Sequence, residues 1–201
     1  MRNLRHEFEA AAQGLAHNGA EVRIPPVVRN AGILIVGSYL AAVCAHLAVP
    51  LYFTPVPLTL QPLAVLLLGL LLSPRMAAAT LAAYLAEGAL GLPVFAPGTL
   101  GPAHLFGPTG GYLLAYPAAA ALISWLWRRT GRGFLTALLA GAAGDLLILA
   151  CGGLWLAAST HLSAHAALEM AVFPFLPGDA LKVAAAAGIA AGWMHIRRAR
   201  A

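Results

Sequence analysis

Charged side chains are scarce in this sequence: they make up 9% of its 201 residues, whereas hydrophobic side chains make up 61%. Soluble domains carry about 25% charged residues, so this composition argues against a soluble fold and indicates an integral membrane protein. Cysteine is also rare. Cys44 and Cys151 lie in apolar segments and match no metal or redox spacing, which indicates buried free thiols and no metal site.

Lysine occurs once, as Lys182, and the remaining positive charge is arginine in short clusters beside apolar segments. Such clusters are typical of membrane topology signals and do not indicate a nucleic-acid partner. Residues 1–30 contain no uninterrupted apolar run, so they are not expected to be a signal peptide. Apolar positions within residues 1–18 recur at near-helical spacing, which predicts an amphipathic pattern in the N-terminal segment 1–30.

Six apolar segments follow residue 30, each close to the roughly 20 residues that a membrane-spanning helix needs. They predict an all-α integral membrane protein with a six-helix membrane domain over 31–195 and a basic cytoplasmic tail over 196–201. The predicted spans cover about 31–49, 58–72, 76–90, 112–127, 134–158 and 179–195.

Three connections between these spans, 50–57, 91–111 and 159–178, contain no lysine or arginine. Because arginine and lysine accumulate on the cytoplasmic side, this asymmetry predicts cytoplasmic N- and C-termini. The segment 91–111 is too rich in glycine and proline for a helix and too apolar for disorder, so an ordered lid or re-entrant loop is expected there. Together these connections without lysine or arginine predict a cup that opens outward.

The last span opens with a polar pair. Pro174, Pro177 and Gly178 are expected to stop any preceding helix, Asp179 is placed to cap the next one, and Lys182 follows one turn later. Residues three apart share a helix face, so an acceptor and a donor would lie side by side, suited to a small polar ligand. Alternatively, Asp179 only caps the helix, and Lys182 extends to the membrane interface or neutralises Asp179.

The first span contains small residues four apart, Gly37, Ala41 and Ala45. In lipid, small residues at this spacing let a second helix approach closely. The stripe is therefore a candidate docking face for a partner helix, or an ordinary packing face inside the bundle.

Besides Asp179, two carboxylates lie in predicted spans. Asp145 in the fifth span is a functional candidate by default, and it can instead be protonated or hydrogen-bonded to a neighbouring helix. Glu87 is expected near the interface. An ion-coupled secondary carrier would use both, but no clear inverted repeat supports that alternative. No serine belongs to a nucleophile motif, so the chain is not expected to be an enzyme.

Five stretches carry a family resemblance: FTPVPLTLQPLAVLLLG (53–69), YLAEGALGLPVF (84–95), GPTGGYLLAYP (107–117), GLWL (153–156) and FLPGDALK (175–182). In this order across six spans, they resemble the BioY family, the biotin-specific S components of energy-coupling factor (ECF) transporters. The resemblance implies biotin uptake across the plasma membrane of a prokaryote. An S component for another vitamin is the alternative.

The resemblance also implies a biotin site. Asp179 would accept a ureido N–H, and Lys182 would donate to the ureido carbonyl or pair with the carboxylate. The family has a Gly-Gly pair and then a polar residue, often an amide, where this chain has Pro97-Gly98-Thr99. Thr99 is thus a candidate polar contact, with Gln61 as another. Candidates for the apolar wall are Tyr84, Phe95, Tyr112 and Trp155.

The implied partners are a transmembrane coupling protein, docked on Gly37, Ala41 and Ala45, separate ATPase subunits, and the lipid bilayer around the chain. The sequence has no G-x-x-x-x-G-K-[ST] phosphate-binding loop, so ATP would be used by those subunits. No cofactor of this chain is expected.

Overall fold

A computed structural model describes residues 25–97 and 101–199. The elements in chain order are α1 (Pro26–His46), β1 (Ala48–Val49), β2 (Leu58–Thr59), α2 (Gln61–Leu71), α3 (Pro74–Ala89), α4 (Pro102–Leu105), α5 (Gly110–Arg129), α6 (Phe134–Thr160), α7 (Ala164–Ala171) and α8 (Leu176–Ala199). The two strands pair antiparallel, with Ala48 opposite Thr59 and Val49 opposite Leu58.

The chain divides into two compact units, Met1–Ala31 and Gly32–Ala201. In the second unit, α5 packs against α2, α3 and α6, and α8 packs against α2 and α6. One part of the core surrounds the buried rings of Tyr84, Tyr112 and Tyr116. The other part surrounds Leu66 and Ile123.

Two of the described helices, Pro26–His46 and Phe134–Thr160, are long and apolar enough to cross a membrane. Ala164–Ala171 and Leu176–Ala199, bent by 52° at the break between them, qualify as a third span when they are taken together. Each of the six predicted spans overlaps a helix, but the end of the first forms β1, the start of the second forms β2, and α2 has only 11 residues. At 1.5 Å per residue it is about 17 Å long, shorter than the roughly 30 Å hydrocarbon core.

The connections without lysine or arginine contain more structure than the sequence indicated. α4 lies within 91–111, where no helix was expected, and it begins at Pro102, whose missing N–H is harmless in the first turn. α7 lies within 159–178, where the Ser163 hydroxyl accepts a hydrogen bond from the Ala166 N–H at 3.2 Å. The last helix continues to Ala199, into the predicted tail.

Candidate functional site

Asp179 and Lys182 form an ion pair inside the bundle. The Lys182 Nζ atom donates a hydrogen bond to Asp179 Oδ1 at 2.8 Å, and the two residues are only 8% and 3% exposed. Lys182 therefore does not extend to the membrane interface. The i, i+3 prediction placed the two side chains correctly on one helix face.

The predicted capping role of Asp179 is wrong. Helix α8 begins at Leu176, and the Asp179 N–H donates to the Phe175 carbonyl at 2.8 Å, so Asp179 lies within the first turn. Pro177 does not delay the helix, because a proline in the first turn lacks only an N–H that would have no intrahelical partner. The earlier start places Asp179 on the inward face of α8.

The pair borders a cavity whose walls come from α2, α5, α6, α8 and the connecting segments. Its other polar lining residues are Thr59, Gln61, His104 and Thr109. Its aromatic and aliphatic lining includes Tyr112, Tyr116, Phe175, Ile148, Leu149 and Val56. A few polar groups in a mainly apolar cavity are typical of sites for small organic molecules.

The cavity measures about 40 Å³ between the described residues. A water molecule needs about 10–15 Å³ by the same measure, so this space holds a few waters. Small-molecule sites typically measure about 300–1,000 Å³. The walls must therefore move apart before a vitamin-sized ligand can bind beside Asp179 and Lys182.

Gln61 is held in place by Tyr84, which lies behind the cavity wall. The Gln61 side-chain amide donates to the Tyr84 hydroxyl at 2.6 Å, and this hydroxyl donates to the Val94 carbonyl at 3.0 Å. Tyr84 is fully buried and does not line the cavity. It orients Gln61 and connects α3 to the 91–111 segment.

Phe95 also lies behind the wall. Its ring packs edge-on against Tyr84, with centroids 5.4 Å apart, and stacks on His104 at 5.1 Å. A Cβ atom at Gly88 would collide with the Phe95 ring, so this glycine allows the aromatic ring to lie directly on α3. Phe95 therefore supports His104, which does line the cavity.

The two remaining aromatic candidates differ in position. Tyr112 lines the cavity, and its hydroxyl donates to the Ala171 carbonyl at 2.5 Å, which connects α5 to α7. Trp155 lies away from the cavity lining, and its indole N–H donates to the Gly107 carbonyl at 2.9 Å. Trp155 thus fixes the turn before α5. Thr99 lies outside the described residues.

Several lining residues were missed by the sequence analysis. His104, Tyr116 and Phe175 line the cavity, although none of them had been named as a site candidate. Phe175 was quoted within the FLPGDALK stretch, and its place just before Asp179 was the available signal. Tyr116 follows Tyr112 by four residues, so the shared face of α5 could have indicated it.

Asp145 is buried in α6, 6% exposed, and its Oδ1 atom has no hydrogen-bond partner among the described residues. The carboxyl group interacts electrostatically with Asp179 and Lys182. The predicted alternative, a hydrogen bond from Asp145 to a neighbouring helix, is therefore not formed by this oxygen. Glu87 is half-buried and accepts a hydrogen bond from Ser38 at 3.0 Å, which joins α1 to α3.

The stripe Gly37, Ala41 and Ala45 faces the bundle interior. Ala41 and Ala45 are 1% and 0% exposed, and a Cβ atom at Gly37 would meet the side chains of Thr80 and Leu68. In this conformation the stripe serves packing within the chain. Docking of a partner there stays a prediction.

The described residues contain no group of three histidine, cysteine, aspartate or glutamate side chains placed to hold a metal ion. The chemistry of the cavity is therefore that of hydrogen bonds, one ion pair and apolar contact.

Comparison with solved structures identifies a similar fold. The crystal structure of the S-component for biotin from an ECF-type ABC transporter, at 2.1 Å, matches with a TM-score of 0.77 and 25% sequence identity. The match covers 84% of this chain and 92% of that one.

Sequence relatives point the same way. Biotin transporter BioY2 of Lactococcus lactis subsp. cremoris is 38% identical over 75% of this chain and 81% of its own length. The probable biotin transporter BioY of Pyrococcus horikoshii is 38% identical over 79% of this chain and 93% of its own length. The sequence model of the BioY family matches residues 13–199. With a match over nearly its whole length and relatives of this similarity, the chain belongs to the BioY family.

Proposed function

We propose that this chain binds biotin and mediates its uptake as the substrate-specificity component of an ECF-type transporter. The observation that carries the proposal is the buried Asp179–Lys182 pair at a mainly apolar cavity, in a chain of this family. The relatives named as biotin transporters and the similar fold of a biotin S-component support the same ligand.

The charge of the pair favours the ureido ring of biotin as its partner. Asp179 and Lys182 neutralise each other, and the Asp145 carboxyl group lies within electrostatic range of both, so the site has no excess positive charge to attract the biotin carboxylate. The ureido group of biotin presents an N–H donor beside a carbonyl acceptor. It therefore matches the Asp179 carboxylate, an acceptor, beside the Lys182 ammonium group, a donor. Lys182 uses one of its three N–H groups on Asp179 and keeps the others for the ligand.

The remaining lining supplies the other contacts. Gln61, oriented by Tyr84, offers an amide to the second side of the ureido ring. Tyr112, Phe175 and Ile148 offer apolar surface to the sulfur-containing ring and the acyl tail. Thr99 is proposed as a further polar contact on the family resemblance alone.

The transport arrangement belongs to the same proposal. Six spans would place both termini in the cytoplasm of a prokaryote, with the cavity opening outward from its plasma membrane. The chain itself is not an enzyme in this proposal, because ATP would be hydrolysed by separate ATPase subunits joined through a transmembrane coupling protein.

The proposal is tested by equilibrium binding of radiolabelled biotin to the purified full chain in detergent. Four unlabelled competitors separate the possibilities: thiamine and riboflavin as other vitamins, biotinamide with a neutral tail, and lipoate with a sulfur ring and carboxylate tail but no ureido group. Saturable binding displaced by biotin and biotinamide, and not by the other three, is expected.

Other outcomes would contradict defined parts of the proposal. Absence of biotin binding, or displacement by thiamine or riboflavin, would overturn the ligand. Displacement by lipoate but not by biotinamide would show that the tail carboxylate is recognised, contrary to the assignment of the ureido ring to the pair.

A further inference from the structure

A second cavity, of about 190 Å³, lies at the arginine-bearing end of the bundle. Arg128 at the end of α5, Arg132 in the following turn and Arg197 near the end of α8 all line it. The apolar part of its lining comes from Leu70, Leu71, Trp127, Trp193 and Met194. Three cationic groups from two parts of the chain, the end of α5 with its following turn and the end of α8, thus converge on one space.

These three charges have no carboxylate partner within residues 25–97 and 101–199. The ion pairs formed there are Lys182 with Asp179 and His165 with Glu169. Arg128 interacts electrostatically with Arg132, a contact between like charges. An anion in the cavity would offset this repulsion.

Local contacts restrain the side chains of Arg128 and Arg197 and the backbone of the turn that carries Arg132. Arg128 Nε donates to the Ser124 hydroxyl at 3.2 Å, and the Arg197 guanidinium lies 5.2 Å from the Trp193 ring centroid. Arg132 has φ 50°, a left-handed conformation uncommon for a residue other than glycine. Arg198 Nη2 donates to the Gly131 carbonyl at 3.3 Å, which joins this turn to α8.

Topology alone does not account for this arrangement. The positive-inside rule places arginines near the ends of spans but does not require them to line one cavity. Arg75 and Arg129 are exposed like Arg128 and Arg197, but they do not line it. Trp193, which is 50% exposed and lies beside Arg197, adds a second feature, because tryptophan concentrates at the level of lipid headgroups. Guanidinium groups bind phosphate through paired, charge-assisted hydrogen bonds.

We infer that this cavity binds a phosphate group, with Arg128, Arg132 and Arg197 holding its oxygens. An anionic phospholipid and free phosphate offer the same chemistry. The apolar lining and Trp193 favour the phospholipid, whose acyl chains would follow Leu71 and Trp193 into the bilayer. The site is separate from the biotin cavity, so the two proposals stand or fall independently.

The test is native mass spectrometry of the full chain titrated with phosphatidylglycerol, phosphatidylcholine or inorganic phosphate. The variant R128Q/R132Q/R197Q removes the cavity charges. The control R29Q/R75Q/R129Q removes the same number of charges from exposed residues that do not line the cavity. Phosphatidylglycerol is expected to bind the cavity variant about tenfold or more weakly than the control variant, with phosphatidylcholine weak throughout.

Each result has a defined meaning. Arginine-dependent phosphatidylglycerol binding that survives excess inorganic phosphate supports a lipid at the site, whereas competition by inorganic phosphate supports free phosphate there. Equal losses in the two variants, or equal binding of the two lipids, would overturn the proposal. If the triple variant does not fold, the single variant R197Q, in the last turns of α8, replaces it in the comparison with the control. Undiminished binding of phosphatidylglycerol to R197Q would count against the site.

Discussion

At the scale of single residues, Tyr84 illustrates how a side chain shapes the candidate biotin site without lining it. Its hydroxyl accepts from Gln61 and donates to the Val94 carbonyl, and its ring is fully buried. The hydroxyl therefore satisfies one buried donor and one backbone acceptor at once. Losing it would leave both groups unpaired and free Gln61 to rotate.

Tyr84→Phe removes this hydroxyl and keeps the ring. We expect a lower melting temperature, corresponding to about 1–3 kcal/mol for the unpaired buried groups, together with weaker biotin binding. Thermal unfolding in detergent and a biotin titration measure the two effects. Tyr39→Phe is the matched control, since Tyr39 is 70% exposed. Identical behaviour of the two variants would exclude a role for the Tyr84 hydroxyl in either property.

The sequence could predict some residues of the site and not others. Asp179 and Lys182 are three apart on one helix, so local geometry alone brings them together. The Gln61–Tyr84 hydrogen bond joins residues 23 positions apart, and Trp155 bonds a carbonyl 48 positions away. Such pairs depend on how the helices pack, which periodicity does not specify. For the same reason, Tyr84, Phe95 and Trp155 could not be separated in advance from the cavity-lining Tyr112.

At the scale of elements, the position of α1 depends on a close approach at Gly37. A Cβ atom there would meet the Thr80 side chain, and it would lie 3.1 Å from Leu68 Cδ2. The same helix carries Gly32, where an added Cβ has nothing within 4 Å. The two glycines thus provide a matched pair of positions on one apolar helix.

Gly37→Val is expected to push α1 away from α2 and α3 and to destabilise the bundle by about 1–3 kcal/mol, as overpacking does in other cores. Gly32→Val is expected to be close to neutral. Melting temperatures of both variants in detergent measure the difference. If Gly37→Val unfolds at the wild-type temperature, the small-residue stripe does not serve packing within this chain, and its predicted docking role gains weight.

Hydropathy predicted the long helices within a few residues, because apolar length is visible in the sequence. The short helices α4 and α7 were missed, since their proline, serine and histidine residues are equally common in irregular connections. The start of α8 was placed three residues late for a related reason. Pro177 was taken as a helix stop, whereas a proline in the first turn is compatible with a helix.

At the scale of the whole molecule, α8 connects the two candidate sites. It carries the Asp179–Lys182 pair near its start and Arg197 near its end. The fifteen residues from Lys182 to Arg197 correspond to about 22 Å along the helix axis. The uneven distribution of arginine in the sequence predicted that the two ends of the bundle differ in charge. The number of spans, and the side of the membrane on which each end lies, stay predictions, because helix length alone does not place a bilayer.

The most direct test of the biotin assignment is isothermal titration of biotin into the purified wild type, Asp179→Asn, Lys182→Met and the double variant. Each single substitution is expected to weaken binding at least tenfold, about 1.4 kcal/mol. The double variant removes both charges together and avoids the destabilisation that one buried, unpaired charge causes. Glu169→Gln, at an exposed carboxylate, is expected to bind like wild type. Wild-type affinity in a folded Asp179→Asn, Lys182→Met or double variant would contradict the central claim that this buried pair binds biotin.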